Sequence, residues 1–224
     1  MGHVILTPPL PDWIRMAKVP GYVTAHSLSP VETRLYGTES LYGDWDGSVL
    51  LLAKDYGPSR ILRDRIAVSY SDAYRHVGGM RANRVLLRLA RPFERHGILY
   101  GSALANLLRD DGRVSGTLPH RRLALDYGTQ VTRFVVGSMP NLRCIMCMGS
   151  EAWECASRAL GREGEWIAHR DSGQPLGLLI AAFHPCARVS REQLTRPWEA
   201  LGQLVGLPDP WRSNGLPPAG DQTA

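Results

Sequence analysis

Five apolar residues in a row, Val49, Leu50, Leu51, Leu52 and Ala53, run into Lys54-Asp55 and a Tyr56-Gly57-Pro58 turn. A short uncharged run closed by Gly and Pro reads as a β-strand. No polar residue alternates with the apolar ones, so both faces of this strand must be covered, as in a parallel sheet sandwiched between helices. Ligands of such sheets sit just past the carboxyl ends of the strands. The run thus predicts a layered α/β fold and sets Asp55 at the mouth of the expected crevice. Residues 176–183 form a second apolar run, which stops at His184-Pro185-Cys186-Ala187. A parallel sheet brings an acid and a histidine on two strand ends toward one crevice.

The rest of the chain alternates in the same way. Strands are expected at Val49–Ala53, 97–100, 142–148 and 176–183, and helices at 31–38, Arg81–Ala90, 123–136, 151–160 and 192–205. Strands separated by helix-length segments imply βαβ units with right-handed crossovers. The expected architecture is a three-layer α/β/α sandwich around a mainly parallel four-stranded sheet. Ser150, in the Gly149-Ser150-Glu151-Ala152 turn, is the expected cap of the helix that follows. Residues 1–30, rich in Pro and Gly, read as an irregular arm on a single domain spanning 1–212, and 213–224 as a disordered tail.

A chain of 224 residues with 44% hydrophobic content can bury one sizeable core. Its longest apolar run is too short to span a bilayer. The amino-terminal Met1-Gly2-His3-Val4 lacks the basic segment of a secretion signal, so a cytoplasmic setting is expected. The formal net charge is +5, and since Lys18 and Lys54 are the only lysines, 24 of the 26 basic residues are arginines. Guanidinium forks suit phosphate oxygens, which points to a polyanionic partner; ordinary surface arginines from a biased codon usage explain the count equally well. Cys144 and Cys147 have the spacing of a metal-binding pair, with Cys155 and Cys186 downstream. The surrounding Arg143-Cys144-Ile145-Met146-Cys147-Met148 reads as a strand, in which alternation sends the two thiols to opposite faces. They are expected to be buried, reduced and structural.

Four pieces in order resemble the uracil-DNA glycosylase superfamily over roughly residues 40–205. Ala53-Lys54-Asp55-Tyr56-Gly57 stands where the best-known branch has Gly-Gln-Asp-Pro-Tyr after its first strand. Asn106, in Leu104-Ala105-Asn106-Leu107-Leu108, stands where the family has a uracil-reading asparagine after its second strand. Cys147-Met148-Gly149-Ser150-Glu151-Ala152 is similar to its third strand and Leu-Gly-x-x-Ala turn, and His184-Pro185-Cys186-Ala187-Arg188 to its His-Pro-Ser motif. The departures are informative too. Gly57 replaces the tyrosine that excludes 5-methylated bases, Tyr56 replaces the proline, and Lys54 the glutamine. Branches with glycine at the fifth position lack the aspartate, and the iron–sulfur branch has cysteines that this chain does not place there.

The resemblance implies hydrolysis of the N-glycosidic bond of uracil in DNA, the first step of base excision repair, with no metal or organic cofactor. Positive charge develops on the deoxyribose and negative charge on the leaving base. Asp55 is the expected stabiliser of the sugar and orienter of water, and His184 the expected donor to uracil O2. An asparagine amide presents a donor beside an acceptor, matching O4 and N3–H, which assigns Asn106 to the base. Tyr74, His76 or Tyr56 supplies the stacking face, with Gly57 and Lys54 also against the base. Arg188, Ser190 and Arg191 are the expected DNA contacts, with Arg188 as the wedge that fills the gap left by an extruded base. Each also has an ordinary reading: a turn-capping aspartate, a satisfied histidine, a structural asparagine, a solvated loop ahead of a helix capped by Ser190 or Thr195. Two other functions fit the same pattern. One is a non-catalytic nucleic-acid binder of this fold. The other is a small-molecule nucleotide hydrolase, disfavoured by the lack of a glycine-rich phosphate loop after the first strand.

Overall fold

A computed structural model describes residues 10–28, 41–55, 57, 59–60, 81–110, 117–185 and 187–207, without the side chains of residues 26, 42 and 81–83. Its centre is the strand β3 (Val49–Ala53), flanked in parallel by β4 (Ile98–Ser102) and β6 (Cys144–Met148). Beyond β6 lies β7 (Leu179–Ala182), also parallel, and on the far side of β4 the short β2 (Tyr42–Gly43) runs antiparallel. The ladder is level: Ala53 sits opposite Ser102 and Met148, and Met148 opposite Ala182. Segments leaving the carboxyl ends of β3, β4, β6 and β7 therefore emerge along one edge of the sheet.

Alternation along the strands divides the core in two. Val49 and Leu51 join Cys144, Met146, Met148, Ile180 and Ala182 on one face, while Leu50 and Leu52 join Ile145, Cys147, Leu179 and Ala181 on the other. The first face is covered by Leu89 of helix α3 (Arg81–Ala90), by Phe93 in the 3-10 turn that follows, and by Trp198 and Leu201 of α7 (Arg191–Val205). The second is covered by Leu125, Val131 and Val135 of α4 (Arg121–Ser138) and Trp153 and Ala156 of α5 (Ser150–Ala159). The continuous apolar pattern of β3 thus has the physical cause it implied: Leu50, Leu51 and Leu52 are all at most 1% exposed. Burying each contributes about 1.5–3 kcal/mol. This is a three-layer α/β/α fold around four parallel strands. Helices α4 and α5 meet closely at Gly128, where an added Cβ would lie 2.7 Å from the Cys155 sulfur.

The thiols of Cys144 and Cys147 do fall on opposite faces of the sheet. Burial raises the pKa of both, and that of Cys155 is pushed up to about 12 by the same cause. These three cysteines are free and buried, and Cys186 lies outside the described residues. Among the described residues no helix is long and apolar enough to cross a membrane.

Several elements differ from the expected ones. The strand expected at 176–183 begins only at Leu179, because Leu176 and Leu179 exchange backbone hydrogen bonds around Gly177 at φ 62°, folding the start of the apolar run into a turn. Gly149, at φ 119°, is the cap position of α5; Ser150 is its first helical residue and its hydroxyl meets Glu151 Oε2 instead. A helix absent from the expectation, α6 (Trp166–Ser172), precedes β7. The arm is more ordered than its composition suggests: it holds α1 (Asp12–Arg15), β1 (Tyr22–Thr24) and α2 (Ala25–Leu28). β1 pairs antiparallel with β5 (Leu107–Arg109), a strand of three residues. The helix expected at 31–38 and the tail at 213–224 lie outside the described residues.

Candidate active site

The turn after β3 is tied along its length to the segment after β4. Ala103 N–H donates to the Ala53 carbonyl at 2.8 Å, Leu104 N–H to Lys54 at 3.3 Å, and Arg109 N–H to Gly57 at 3.0 Å. The Ser59 hydroxyl donates to Asp110 Oδ1 at 3.1 Å. Within the turn, Gly57 N–H donates to Asp55 Oδ1 at 3.0 Å, a local side-chain turn of the kind aspartate favours. Asp55 Oδ2 faces Arg109 Nε at 3.0 Å, with both side chains nearly sealed, 5% and 2% exposed. The alignment is oblique for a hydrogen bond, so charge holds this pair. The segment that supplies these partners bends sharply at Ala105, whose φ of 44° is rare for a residue with a side chain. Asp55 therefore does what its ordinary reading says, closing a turn, and also presents a fixed, ion-paired carboxylate at the end of a central strand.

His184 leaves the end of β7, and its carbonyl accepts from Ala187 N–H at 2.8 Å, closing the His184–Ala187 turn. It is exposed to solvent. Its pKa is held below the usual 6.5, chiefly by desolvation of the ring and next by the Lys54 cation, against the opposing pull of Asp55. The strand ends thus bring Lys54, Asp55 and His184 within electrostatic reach of one another. A group whose folded pKa is lowered stays neutral while its unfolded counterpart takes up a proton, so His184 favours folding fully above about pH 6.5, and that contribution declines below it. The imidazole of the folded protein is neutral at pH 7. Replacing Lys54 with Met is expected to raise the His184 titration point, and Asp55→Asn to lower it. Opposite movements of the ring-proton shifts in an NMR titration check both; no movement in either variant would separate His184 from the turn after β3.

The other expected site residues divide clearly. Asn106 is a bolt for the arm: its Nδ2 donates to the Arg15 carbonyl at 3.2 Å, its Oδ1 accepts from the Tyr127 hydroxyl at 3.4 Å, and its carbonyl accepts from Ala25 N–H at 2.9 Å. At 1% exposure its amide faces the arm and α4, not an open pocket, because the bend at Ala105 tucks it inward. Ser190 is the cap of α7 in a full capping box with Gln193, the ordinary role foreseen for it; Thr195 lies inside the helix. Arg188 is exposed in the loop between His184 and α7, and Arg191 is the first residue of that helix. Gly57 has φ 96°, and a Cβ there would meet nothing within 4 Å among the described residues. Tyr56, Tyr74 and His76 lie outside the described residues.

Arg109, the ion-pair partner of Asp55, was not singled out from the sequence. In Leu107-Leu108-Arg109-Asp110-Asp111 it looks like a solvated strand end, and the only available signal was an arginine directly following two leucines. A scan against models of protein families finds no match to this chain, and a search of curated proteins returns none.

The arrangement can hold one carboxylate in a set position within electrostatic reach of a neutral, exposed imidazole. That pair suits a reaction in which positive charge builds at one atom and negative charge at another.

Proposed function

We propose that the chain is a monofunctional DNA glycosylase that hydrolyses the N-glycosidic bond of uracil in DNA, leaving an abasic site for base excision repair. The observation that carries the proposal is the placement of Asp55 and His184 beyond the level ends of parallel strands, with His184 responding to the Asp55 charge. In the proposed reaction the C1′–N1 bond breaks, and N1 leaves with the electron pair. Water adds to C1′ and loses its proton to the surroundings. Asp55 offsets the growing positive charge on the sugar and orients the water; neutral His184 donates to O2 as the base becomes anionic. The proposed uracil-DNA glycosylase likeness of the fold rests on the motif order along these same strand ends. Arg188 and Arg191, on the exposed stretch that follows His184, are the proposed contacts to phosphate and to the space vacated by the flipped base. Asn106 takes no part in base reading as long as it holds the arm.

One observation favours a second reading. The Asp55 carboxylate is nearly sealed and already paired with Arg109, which fits a chain that binds DNA without cutting it. Formation of alkali-labile sites on a uracil oligonucleotide separates the two.

The proposed pocket is open where Gly57 lacks a side chain, so excision is expected for uracil and for 5-hydroxymethyluracil, with thymine in duplex DNA cut poorly. The φ of 96° alters what a substitution there can test. Any side chain at this position is strained by about 1–2 kcal/mol, so Gly57→Tyr is expected to lose activity on every base and not to narrow the range. Excision panels on single- and double-stranded oligonucleotides check both statements. Strict preference for uracil in the wild type would mean that another residue closes the space beside C5.

A further inference from the structure

Resting on the glycosylase reading, we infer that Arg109 is the positioning residue of this site: it acts through Asp55, fixing the carboxylate without touching substrate. Arg109 is 1% exposed and stands among the largest fully buried side chains, a costly place for a guanidinium. A buried ion pair is poor evidence for stability, since apolar residues of the same volume usually serve as well. Its geometry here shows a different use. Arg109 grips the turn twice, with Nε on Asp55 Oδ2 at 3.0 Å and its backbone N–H on the Gly57 carbonyl at 3.0 Å. Gly57 N–H in turn holds Asp55 Oδ1. The three residues form a closed ring of contacts, and rotating the carboxylate breaks both of its partners at once. An ionised carboxylate has about four acceptor sites; Gly57 N–H occupies one on Oδ1, and the Arg109 charge faces Oδ2. Arg109 sits on β5, whose only strand partner among the described residues is β1 of the arm, so it carries no rung of the main sheet.

The test is a double-mutant cycle in the full chain on a single-stranded uracil oligonucleotide, with single-turnover excision and oligonucleotide affinity measured separately. Arg109→Met is expected to slow excision by at least about tenfold with affinity nearly unchanged, and Asp55→Asn/Arg109→Met to be no slower than Asp55→Asn alone, as for residues acting as one unit. Wild-type excision by Arg109→Met beside a slow Asp55→Asn overturns the inference and leaves the glycosylase reading standing. So do losses that multiply in the double variant, because Arg109 would then act independently of Asp55. A wild-type chain that makes no abasic sites brings down the glycosylase reading, and the role of Arg109 with it. Should Arg109→Met fail to fold, Arg109→Lys takes its place: it keeps the charge but not the planar fork. It is expected to fold, bind normally and excise more slowly than the wild type, and an undiminished rate there equally overturns the inference.

Discussion

Asp55→Asn is expected to slow uracil excision by about 10²–10³-fold, the usual loss when one preorganised electrostatic stabiliser is removed. The asparagine oxygen can still accept from Gly57 N–H, so the turn keeps its local hydrogen bond. What disappears is the negative charge proposed to face the sugar, together with the carboxylate opposite the Nε of the sealed Arg109 side chain. Neutralising one half of a buried pair weakens the compensation of the other charge, a loss of at most about 3–5 kcal/mol. The variant should therefore be both slow and less stable, a combination absent from a carboxylate that only orients water at a surface. Single-turnover kinetics and urea unfolding of the same preparation measure the two effects. Undiminished excision would remove Asp55 from the chemistry whatever happens to stability.

His184→Ala is expected to lose a comparable factor, about 10²–10³, because a donor at the leaving oxygen is worth most as charge develops there. The two losses differ in kind. His184 is exposed and follows β7, so truncating it should change stability by no more than about 0.5 kcal/mol. Affinity for the oligonucleotide should hold while the excision rate falls, since the donor acts chiefly in the transition state. Lowered affinity with an intact rate would make His184 a binding residue. The imidazole is already neutral at pH 7 and its pKa lies below 6.5, so excision that depends on the neutral donor should persist unchanged on slight acidification below neutrality.

The parts of this molecule that were legible in the sequence are those written as composition over several residues. Val49–Ala53 announced a doubly covered strand because every position in it is apolar, and helix α3 was found with its observed bounds because Arg81–Ala90 keeps a helical period. The parts that were missed are set by single contacts between distant segments. β1 and β5 are three residues each and stabilise one another, so neither shows a pattern of its own. Arg109 is invisible for the same reason: nothing in Leu107-Leu108-Arg109 tells that its charge turns inward until the turn after β3 is brought against it. Asn106 shows the reverse case. Its place in the motif suggested a base, whereas its neighbours in space are the Arg15 carbonyl and Tyr127, which no local spacing reveals. Gly149 took the cap position expected of Ser150 because its φ of 119° is open to glycine and disfavoured in serine.

The two halves of the proposed catalytic pair stand on strands of unequal rank. β3 is hydrogen-bonded on both sides, whereas β7 is bonded only to β6 among the described strands. Edge elements open by local fluctuation well below the free energy of global unfolding. Warming or mild denaturant should therefore release His184 while Asp55 is still held by its central strand and by Arg109. Activity would vanish before the core melts, and in hydrogen exchange the amides of Leu179–Ala182 would trade their protons ahead of those of Val49–Ala53.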